Sequence, residues 1–138
     1  MRIVVDTNVV VSAFLWGGTP RRILDAVEAQ RIELFTSRAL IAELEDVLSR
    51  EKFAVQLRRT RFTSAFLLAR YTQLATLLTP VEITVAELRD PDDAHVLACA
   101  LAARAEAIVS GDADLHALGS YQGITVLSPA DCVRRFAS

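Results

Sequence analysis

Short apolar runs recur along the chain and alternate with longer segments in which the apolar residues follow helical spacing. The first run, Ile3-Val4-Val5, is apolar at consecutive positions, which is typical of a strand buried on both faces of a parallel sheet. We expect five strands in all, at residues 3–5, 31–36, 81–85, 107–110 and 124–127. Because helical segments separate these runs, the pattern predicts a three-layer α/β/α fold around a parallel sheet.

Helices are expected in the intervening segments. They are predicted at residues 8–15, after an N-cap at Thr19 followed by Pro20, from Ser37 to about 49, at 94–104, after Asp114, and after Ser128-Pro129. Residues 51–78 contain neither Gly nor Pro, so we expect one or two further helices, inserted between the second and third strands. The core residues predicted for this insert are Phe53, Val55, Leu57, Phe62, Phe66, Leu67, Leu74 and Leu77.

The composition favours one globular domain over residues 1–138. Hydrophobic residues make up 52% of the chain and the mean hydropathy is +0.32, which indicates a well-filled core. No apolar run approaches the roughly 20 residues of a membrane span, and a strand begins at once, so we expect no membrane segment and no signal peptide. Two cysteines fit a reducing cytoplasm better than a disulfide scaffold. The apolar excess also raises the hypothesis of a homodimer.

Charge is unevenly distributed, although the net charge is only −2. Residues 50–70 carry six basic side chains and one acidic, whereas residues 82–114 carry eight acidic and two basic. The basic segment could bind a polyanion, or it could form an ordinary solvated surface. The candidate contacts to a nucleic-acid backbone are Arg50, Lys52, Arg58, Arg59 and Arg61.

Three acidic residues are expected at one edge of the sheet. Asp6 follows the first strand, Asp112 follows the fourth, and Asp93 opens the buried helix after the third. Since parallel strands all end at the same edge, these carboxylates should lie close together. A fourth acid would come from the helix after the second strand, where helical geometry leaves Glu43 and Glu45 as alternatives.

Each of these acids also has a purely structural interpretation, as a helix cap or a surface residue. Together they are harder to explain in that way, because crowded carboxylates repel one another unless a cation is bound. An all-oxygen ligand set favours Mg²⁺ or Mn²⁺ over Zn²⁺. His95 and His116 lack the close spacing of a zinc site, so we interpret both as structural or surface residues. A phospho-acceptor receiver domain is disfavoured because it needs a lysine near the last strand, and the sole lysine is Lys52.

These motifs, in this order, resemble the PIN-domain ribonucleases, many of which are toxins of VapC-type toxin–antitoxin pairs. The matching segments are Val5-Asp6-Thr7-Asn8, Ser37 with Glu43-Leu44, Asp90-Pro91-Asp92-Asp93-Ala94, and Ile108 to Asp114. The resemblance covers essentially the whole chain. It implies a five-stranded parallel sheet of order 3-2-1-4-5, and it selects Glu43 over Glu45 and Asp93 over Asp92.

The activity that the resemblance implies is metal-dependent endoribonuclease cleavage. Asp6, Glu43, Asp93 and Asp112 would hold Mg²⁺ or Mn²⁺, with Asp114 as a further candidate ligand, and a metal-activated water would attack phosphorus. Thr7, Asn8 and Ser110 would orient carboxylates or water, unless they serve only turns and caps. The implied partners are RNA and a cognate antitoxin that covers the site. The alternatives are a free-standing RNA-processing nuclease and an inactive binding module of the same fold.

Overall fold

The computed structural model describes residues 1–137, which form a six-stranded sheet flanked by helices. The strands are β1 (Arg2–Val5), β2 (Glu33–Ser37), β3 (Ala75–Leu78), β4 (Ala107–Val109), β5 (Ser120–Tyr121) and β6 (Ile124–Leu127). Their order is β3-β2-β1-β4-β6-β5. The predicted order is therefore confirmed for the five parallel strands. The short β5, which was not predicted, pairs antiparallel with β6 and adds a sixth strand at the edge.

Helices connect the strands on both faces of the sheet. They are α1 (Thr7–Leu15), α2 (Gly18–Glu28), α3 (Arg38–Leu48), α4 (Ala54–Thr60), α5 (Ser64–Leu74), α6 (Pro91–Ala103), α7 (Ala113–Leu118) and α8 (Pro129–Ala137), with a 3₁₀ turn at Glu51–Phe53. Ser37 caps α3 as predicted, since its hydroxyl accepts from the Leu40 backbone N–H. Thr19 is not a cap, because α2 begins at Gly18, two residues before the predicted first helical residue Pro20, and follows Gly17 at φ +80°.

The sheet separates two apolar cores, which confirms the three-layer α/β/α architecture. Ile3 and Val5 on β1 face one core, which includes buried residues of α1, α2, α3, α5 and α8. Val4 faces the other core, which is formed largely by α6 together with residues of β4 and β6. β1 is buried on both faces because successive side chains of a strand point in opposite directions. None of the helices within residues 1–137 combines the length and apolar character needed to cross a bilayer.

The third strand lies at Ala75–Leu78 and not at the predicted residues 81–85. It pairs in parallel with β2, so the edge of β2 is already occupied when the chain reaches residue 81. Tyr71 helps to bring the chain there, because its buried hydroxyl donates a 2.7 Å hydrogen bond to Thr36 Oγ1 on β2. Residues 81–85 form no strand, and Val81 is 82% exposed.

The insert between β2 and β3 is less buried than its composition predicted. Of the eight expected core residues, only Leu67 is fully buried, while Phe53, Leu57 and Leu74 are partly buried. Val55, Phe62, Phe66 and Leu77 are about half exposed, so their assignment to the core is wrong. The rings of Phe62 and Phe66 stack on each other at a centroid distance of 4.7 Å, and this contact shields one face of each ring without burying it.

Candidate functional site

The carboxyl ends of β1 and β4 meet at the centre of the sheet and carry the first residues of the site. The two strands pair in parallel with Val5 opposite Val109, and the Asp6 backbone N–H continues the ladder to the Val109 carbonyl at 2.9 Å. Asp6 and Ser110 therefore emerge side by side, although 104 residues separate them in sequence. Both are almost completely buried.

Ser110 joins Asp6 to the loop that carries Asp112. Its hydroxyl donates to Asp6 Oδ2 at 2.7 Å and accepts from the Asp112 backbone N–H at 2.9 Å. Asp112 Oδ1 in turn accepts from the backbone N–H groups of Asp114 and Leu115, and so caps α7. Asp112 therefore has the helix-capping role that the sequence offered as a structural interpretation. The cap uses only one carboxylate oxygen, so the second remains available to bind a ligand.

Asp93, Asp112 and Asp114 form the tightest acidic cluster. One carboxylate oxygen from each lies within 4.8 Å of the others, in a geometry that could hold a metal ion. Asp93 stands in the first turn of α6 and is only 4% exposed, and its Oδ2 has no hydrogen-bond partner among the described residues. Burial, followed by the neighbouring carboxylates of Asp112 and Asp6, raises the pKa of Asp93. A buried oxygen without a donor fits a site made for a cation.

Glu43 approaches Asp6 and Asp92 from α3. Its Oε2 is buried without a hydrogen-bond partner in the part of the chain described, and a hydrogen bond with the Thr7 side chain partly offsets the effect of burial. Burial, together with the charges of Asp92 and Asp6, raises the pKa of Glu43 to about 7. Glu45, the alternative left open by helical spacing, is exposed. The structure therefore brings Glu43 to the acids and leaves Glu45 in solvent.

Asp6 completes the group of four acids. Burial is the largest cause of its raised pKa, and the charges of Asp112 and Asp90 act in the same direction. The hydrogen bonds from Ser110 and from the Thr7 backbone act in the opposite direction, because they stabilise the carboxylate. The structure thus places Asp6, Glu43, Asp93 and Asp112 in one electrostatically coupled group.

Three charged residues at this site were not among the predicted site residues, and one of them, Asp92, is the alternative that the family resemblance had set aside in favour of Asp93. The charge of Asp90, the N-cap of α6, raises the pKa values of Asp6, Glu43 and Asp93, and Asp92 is the carboxylate with the largest electrostatic effect on Glu43. Arg89 places its guanidinium 3.3 Å from Asp114 Oδ1 while 85% of its side chain is exposed. The Asp90-Pro91 helix start was a usable signal for Asp90, but no local pattern indicates the contact of Arg89.

A cleft of about 500 Å³ opens beside the acids and is called the Asn8 cleft below. Asp6 and Asp112 border it, Asn8, Val9 and Ser12 line it from α1, and the loop after β4, the first turn of α2 and the start of α8 complete it. Asn8 is exposed and lines this cleft, whereas Thr7 and Ser110 are buried and contact Glu43 and Asp6. Thr7 and Ser110 are therefore placed to orient carboxylates, whereas Asn8 lines the cleft.

Neither histidine belongs to the acidic group. His116 Nε2 is 2.5 Å from the Ser110 carbonyl oxygen, which can only accept, so this nitrogen carries the hydrogen. His95 is exposed.

All five basic candidates are exposed, namely Arg50, Lys52, Arg58, Arg59 and Arg61. They lie on or next to α4, where the Gln56 side chain donates to the Leu15 carbonyl at 2.7 Å. That contact is at the C-terminal end of α1, whereas Asp6 is the N-cap of the same helix. The predicted RNA contacts are therefore not adjacent to the acids.

Comparisons with known proteins agree with this architecture. A family model described as "PIN domain" matches residues 2–114, a range that contains all four acids. No curated protein gave a significant match. A similar solved structure is a chain in the crystal structure of VapBC2 from Rickettsia felis bound to a DNA fragment from their promoter. It superposes with a TM-score of 0.63 at 14% identity, covering 93% of this chain and 98% of that chain. The extent of the family match shows that the chain belongs to the PIN-domain family.

Proposed function

We propose that this protein is a metal-dependent endoribonuclease that hydrolyses RNA phosphodiester bonds. The observation that carries the proposal is the cluster of Asp93, Asp112 and Asp114, in which a buried Asp93 oxygen has no partner among the described residues. Membership of the PIN-domain family supports a nuclease, and the oxygen-only donor set supports Mg²⁺ or Mn²⁺.

The residues that would hold the metal are Asp6, Glu43, Asp93 and Asp112, with Asp114 at the outer side of the cluster. A bound divalent ion would make a water molecule more acidic and stabilise negative charge on the phosphate and leaving oxygen. In the metal-free protein, burial and mutual repulsion favour the protonated forms of Glu43 and Asp93. Metal binding should therefore be accompanied by proton release from these two side chains.

Other side chains would keep the carboxylates in position. The Ser110 hydroxyl holds Asp6 from one side at 2.7 Å, and Thr7 hydrogen-bonds with Glu43 from the other. Ser110 also accepts from the Asp112 backbone, so one hydroxyl sets the spacing between two of the acids. Because such supporting hydrogen bonds limit rotation of the carboxylates, they favour one arrangement of ligands over many.

The decisive experiment compares the parent with an Asp6→Asn/Asp93→Asn double variant on structured RNA in Mg²⁺ or Mn²⁺. We expect cleavage to fall by at least a hundredfold, because both substitutions remove ligand charge while keeping side-chain shape. Asp25→Asn/Asp46→Asn is the matched control, since both residues are exposed and lie on α2 and α3 away from the cluster. A folded double variant that cleaves as fast as the parent would show that the assignment is wrong.

A toxin of a toxin–antitoxin pair is the role we propose for this nuclease. The similar solved structure described above is part of a VapBC2 assembly. A second support is a groove of about 450 Å³ between the α1–α2 and α4–α5 regions, which aromatic, aliphatic and charged side chains line together. It exposes about half of each of Trp16, Phe62 and Phe66, and exposed aromatic clusters are typical of protein interfaces.

The toxin role predicts a small antitoxin gene beside this one, whose product suppresses the ribonuclease on co-expression. Absence of such a gene would favour the alternative of a free-standing RNA-processing nuclease. An inactive binding module is the second alternative, and a calorimetric titration with millimolar Mg²⁺ or Mn²⁺ tests it: no metal binding would favour that module over a nuclease. The two free cysteines fit our proposal that the protein acts in the cytoplasm.

We also propose that the protein forms a homodimer, because of its apolar excess and its exposed aromatic insert. Light scattering coupled to size-exclusion chromatography measures the mass directly. A mass near the 15.1 kDa of one chain at micromolar concentration would contradict the dimer.

A further inference from the structure

The main chain around Gly111 is held on both sides by one residue, His116. Ser110 is completely buried, so its carbonyl oxygen needs a donor from within the protein. The His116 ring supplies that donor, with Nε2 at 2.5 Å from the carbonyl oxygen. The His116 backbone N–H also donates to the Asp112 carbonyl at 3.0 Å. An exposed residue of α7 is therefore connected to the main chain that carries Ser110 and Asp112.

Gly111 has little support of its own. It is exposed, it lines the Asn8 cleft, and a Cβ built on it would meet no atom within 4 Å. A glycine in open space has wide rotational freedom about its backbone bonds. The Ser110 carbonyl and the Gly111 nitrogen share one peptide plane, so the hydrogen bond from His116 also limits rotation at Gly111.

The direction of the Ser110 side chain depends on this restraint. The Ser110 backbone N–H donates to the Leu127 carbonyl at 2.9 Å, so the sheet fixes the peptide before Ser110. His116 fixes the peptide after it. With both peptides fixed, the hydroxyl can reach Asp6 Oδ2 and the Asp112 backbone N–H at the same time.

We propose that His116 is a positioning residue for the carboxylates of Asp6 and Asp112, and that it acts through the Ser110 carbonyl. This inference rests on the proposed function. His116 would touch neither the metal nor RNA, and its contribution would be the geometry of two ligands. The property that matters is the Nε2–H donor and not the charge of the ring, because Nε2 carries a hydrogen in the imidazolium form as well.

Two substitutions at this position separate the donor from the bulk of the side chain. His116→Leu removes the donor, whereas His116→Gln keeps an N–H group at the end of a side chain of similar reach. His95→Leu is the matched control, because it removes an exposed imidazole from α6.

The first measurement is the affinity for Mn²⁺ by calorimetry. Affinity should fall about tenfold in His116→Leu, as expected for loss of a hydrogen bond that orients ligands, and should stay within about threefold of the parent in His116→Gln. The control should stay within about twofold. Mn²⁺ affinity within twofold of the parent in folded His116→Leu, or a loss in His116→Gln equal to that in His116→Leu, would overturn the proposal.

The kinetics of RNA cleavage give a second readout that a merely structural role would not move. In His116→Leu, kcat at saturating RNA should fall about tenfold while KM stays within about twofold, since His116 would not contact RNA. Urea denaturation measures the stability of each variant separately. Lower stability with unchanged kcat would show that His116 only supports the fold.

The third measurement needs no variant. The chain has two histidines, and long-range ¹H–¹⁵N NMR spectra report which ring nitrogen carries the hydrogen in each neutral ring. His116 should be a single tautomer with the hydrogen on Nε2, whereas the exposed His95 should be a mixture of both tautomers. A His116 ring that carries its hydrogen on Nδ1 would overturn the proposal, because Nε2 could not then donate.

Failure of the proposed function gives a different result. In that case the parent would neither hydrolyse RNA nor bind Mn²⁺, while the tautomer of His116 would still report its hydrogen bond to Ser110.

Discussion

Ser110 donates a 2.7 Å hydrogen bond to Asp6 Oδ2, and this contact joins the ends of the two central strands across 104 residues of sequence. Its hydroxyl is fully buried and also accepts from the Asp112 backbone, so it is the direct link between two acids of the site. The site therefore depends on a neutral side chain as well as on the carboxylates.

Replacing Ser110 by Ala should weaken metal binding by about 10–100-fold, because Asp6 loses the bond that orients it. The free energy of unfolding should fall by about 1–3 kcal/mol, since a buried carboxylate oxygen and the Asp112 N–H both lose a partner. Calorimetry with Mn²⁺ and urea denaturation measure the two effects. Ser49→Ala, which removes an exposed hydroxyl from the C-cap of α3, is the control. Unchanged Mn²⁺ affinity in Ser110→Ala would contradict the orienting role.

Glu43→Gln and Glu45→Gln form a matched pair on one helix. Glu43→Gln should lower RNA cleavage at least tenfold and weaken Mn²⁺ binding, because it removes a charge that faces Asp6. Glu45→Gln removes the same charge from an exposed position and should stay within twofold of the parent. Initial rates of RNA cleavage over a range of Mn²⁺ concentrations separate the two. If both substitutions lowered RNA cleavage equally, the cause would be the net charge of α3 and not the position of Glu43 at the site.

The metal-free protein should lose stability as the pH rises from about 5 to 8. The pKa of Glu43 is raised from 4.5 to about 7, so the folded state retains a proton that the unfolded state has already released in this window. Because the unfolded state binds fewer protons there, the free energy of unfolding falls with increasing pH. The pKa of Asp93 is also raised, so this residue likewise lowers the free energy of unfolding as the pH increases.

Thermal unfolding in EDTA at several pH values tests this dependence. The midpoint should be several degrees higher at pH 5 than at pH 8, and saturating Mg²⁺ should reverse most of the loss at pH 8. The Glu43→Gln variant should show a smaller pH dependence. A midpoint in EDTA that rises with pH over this range would contradict the raised pKa values.

Arg89→Ala should tighten Mg²⁺ binding by a few fold. The guanidinium lies 3.3 Å from Asp114 Oδ1 and competes with a cation for that carboxylate. The effect should be small, because an ion pair whose arginine is 85% exposed is well screened by solvent. Arg22→Ala removes the same charge from an exposed position on α2 and is the control for the effect of net charge on Mg²⁺ binding. Weaker Mg²⁺ binding in Arg89→Ala would show that Arg89 supports the site and does not compete for it.

Arg58→Ala/Arg59→Ala should weaken RNA binding and reduce its dependence on salt. If both side chains contact phosphates of a single strand, the slope of log K against log salt should change by about 1.4. Mn²⁺ affinity should not change, since α4 contacts the end of α1 opposite to Asp6. Arg21→Ala/Arg22→Ala provides a control of equal charge on α2. An unchanged salt slope would show that this basic surface is only solvated.

Much of the fold follows from short-range patterns. Consecutive apolar residues in β1 and β4, and the helix start at Ser37, correctly placed most of the parallel sheet and its flanking helices, although α6 begins at Pro91 and not at the predicted residue 94. β3 was missed because residues 75–78 continue the apolar character of α5 without a Gly or Pro between them. Residues 81–85 have the alternation of a strand but pair with no strand, since β3 already occupies the edge of β2, and strand formation requires a partner as well as a pattern.

The sequence by itself determined that acids would stand at the ends of parallel strands, because strand direction and the period of the side chains dictate that edge. Only the tertiary structure decided which acids converge. It turned Glu43 toward Asp6 and Glu45 into solvent, and it placed Asn8 in a cleft and not against a carboxylate. It also brought Arg89 to Asp114 across 25 residues. These placements depend on how helices pack across the sheet, and that packing is set by long-range contacts that no local pattern encodes.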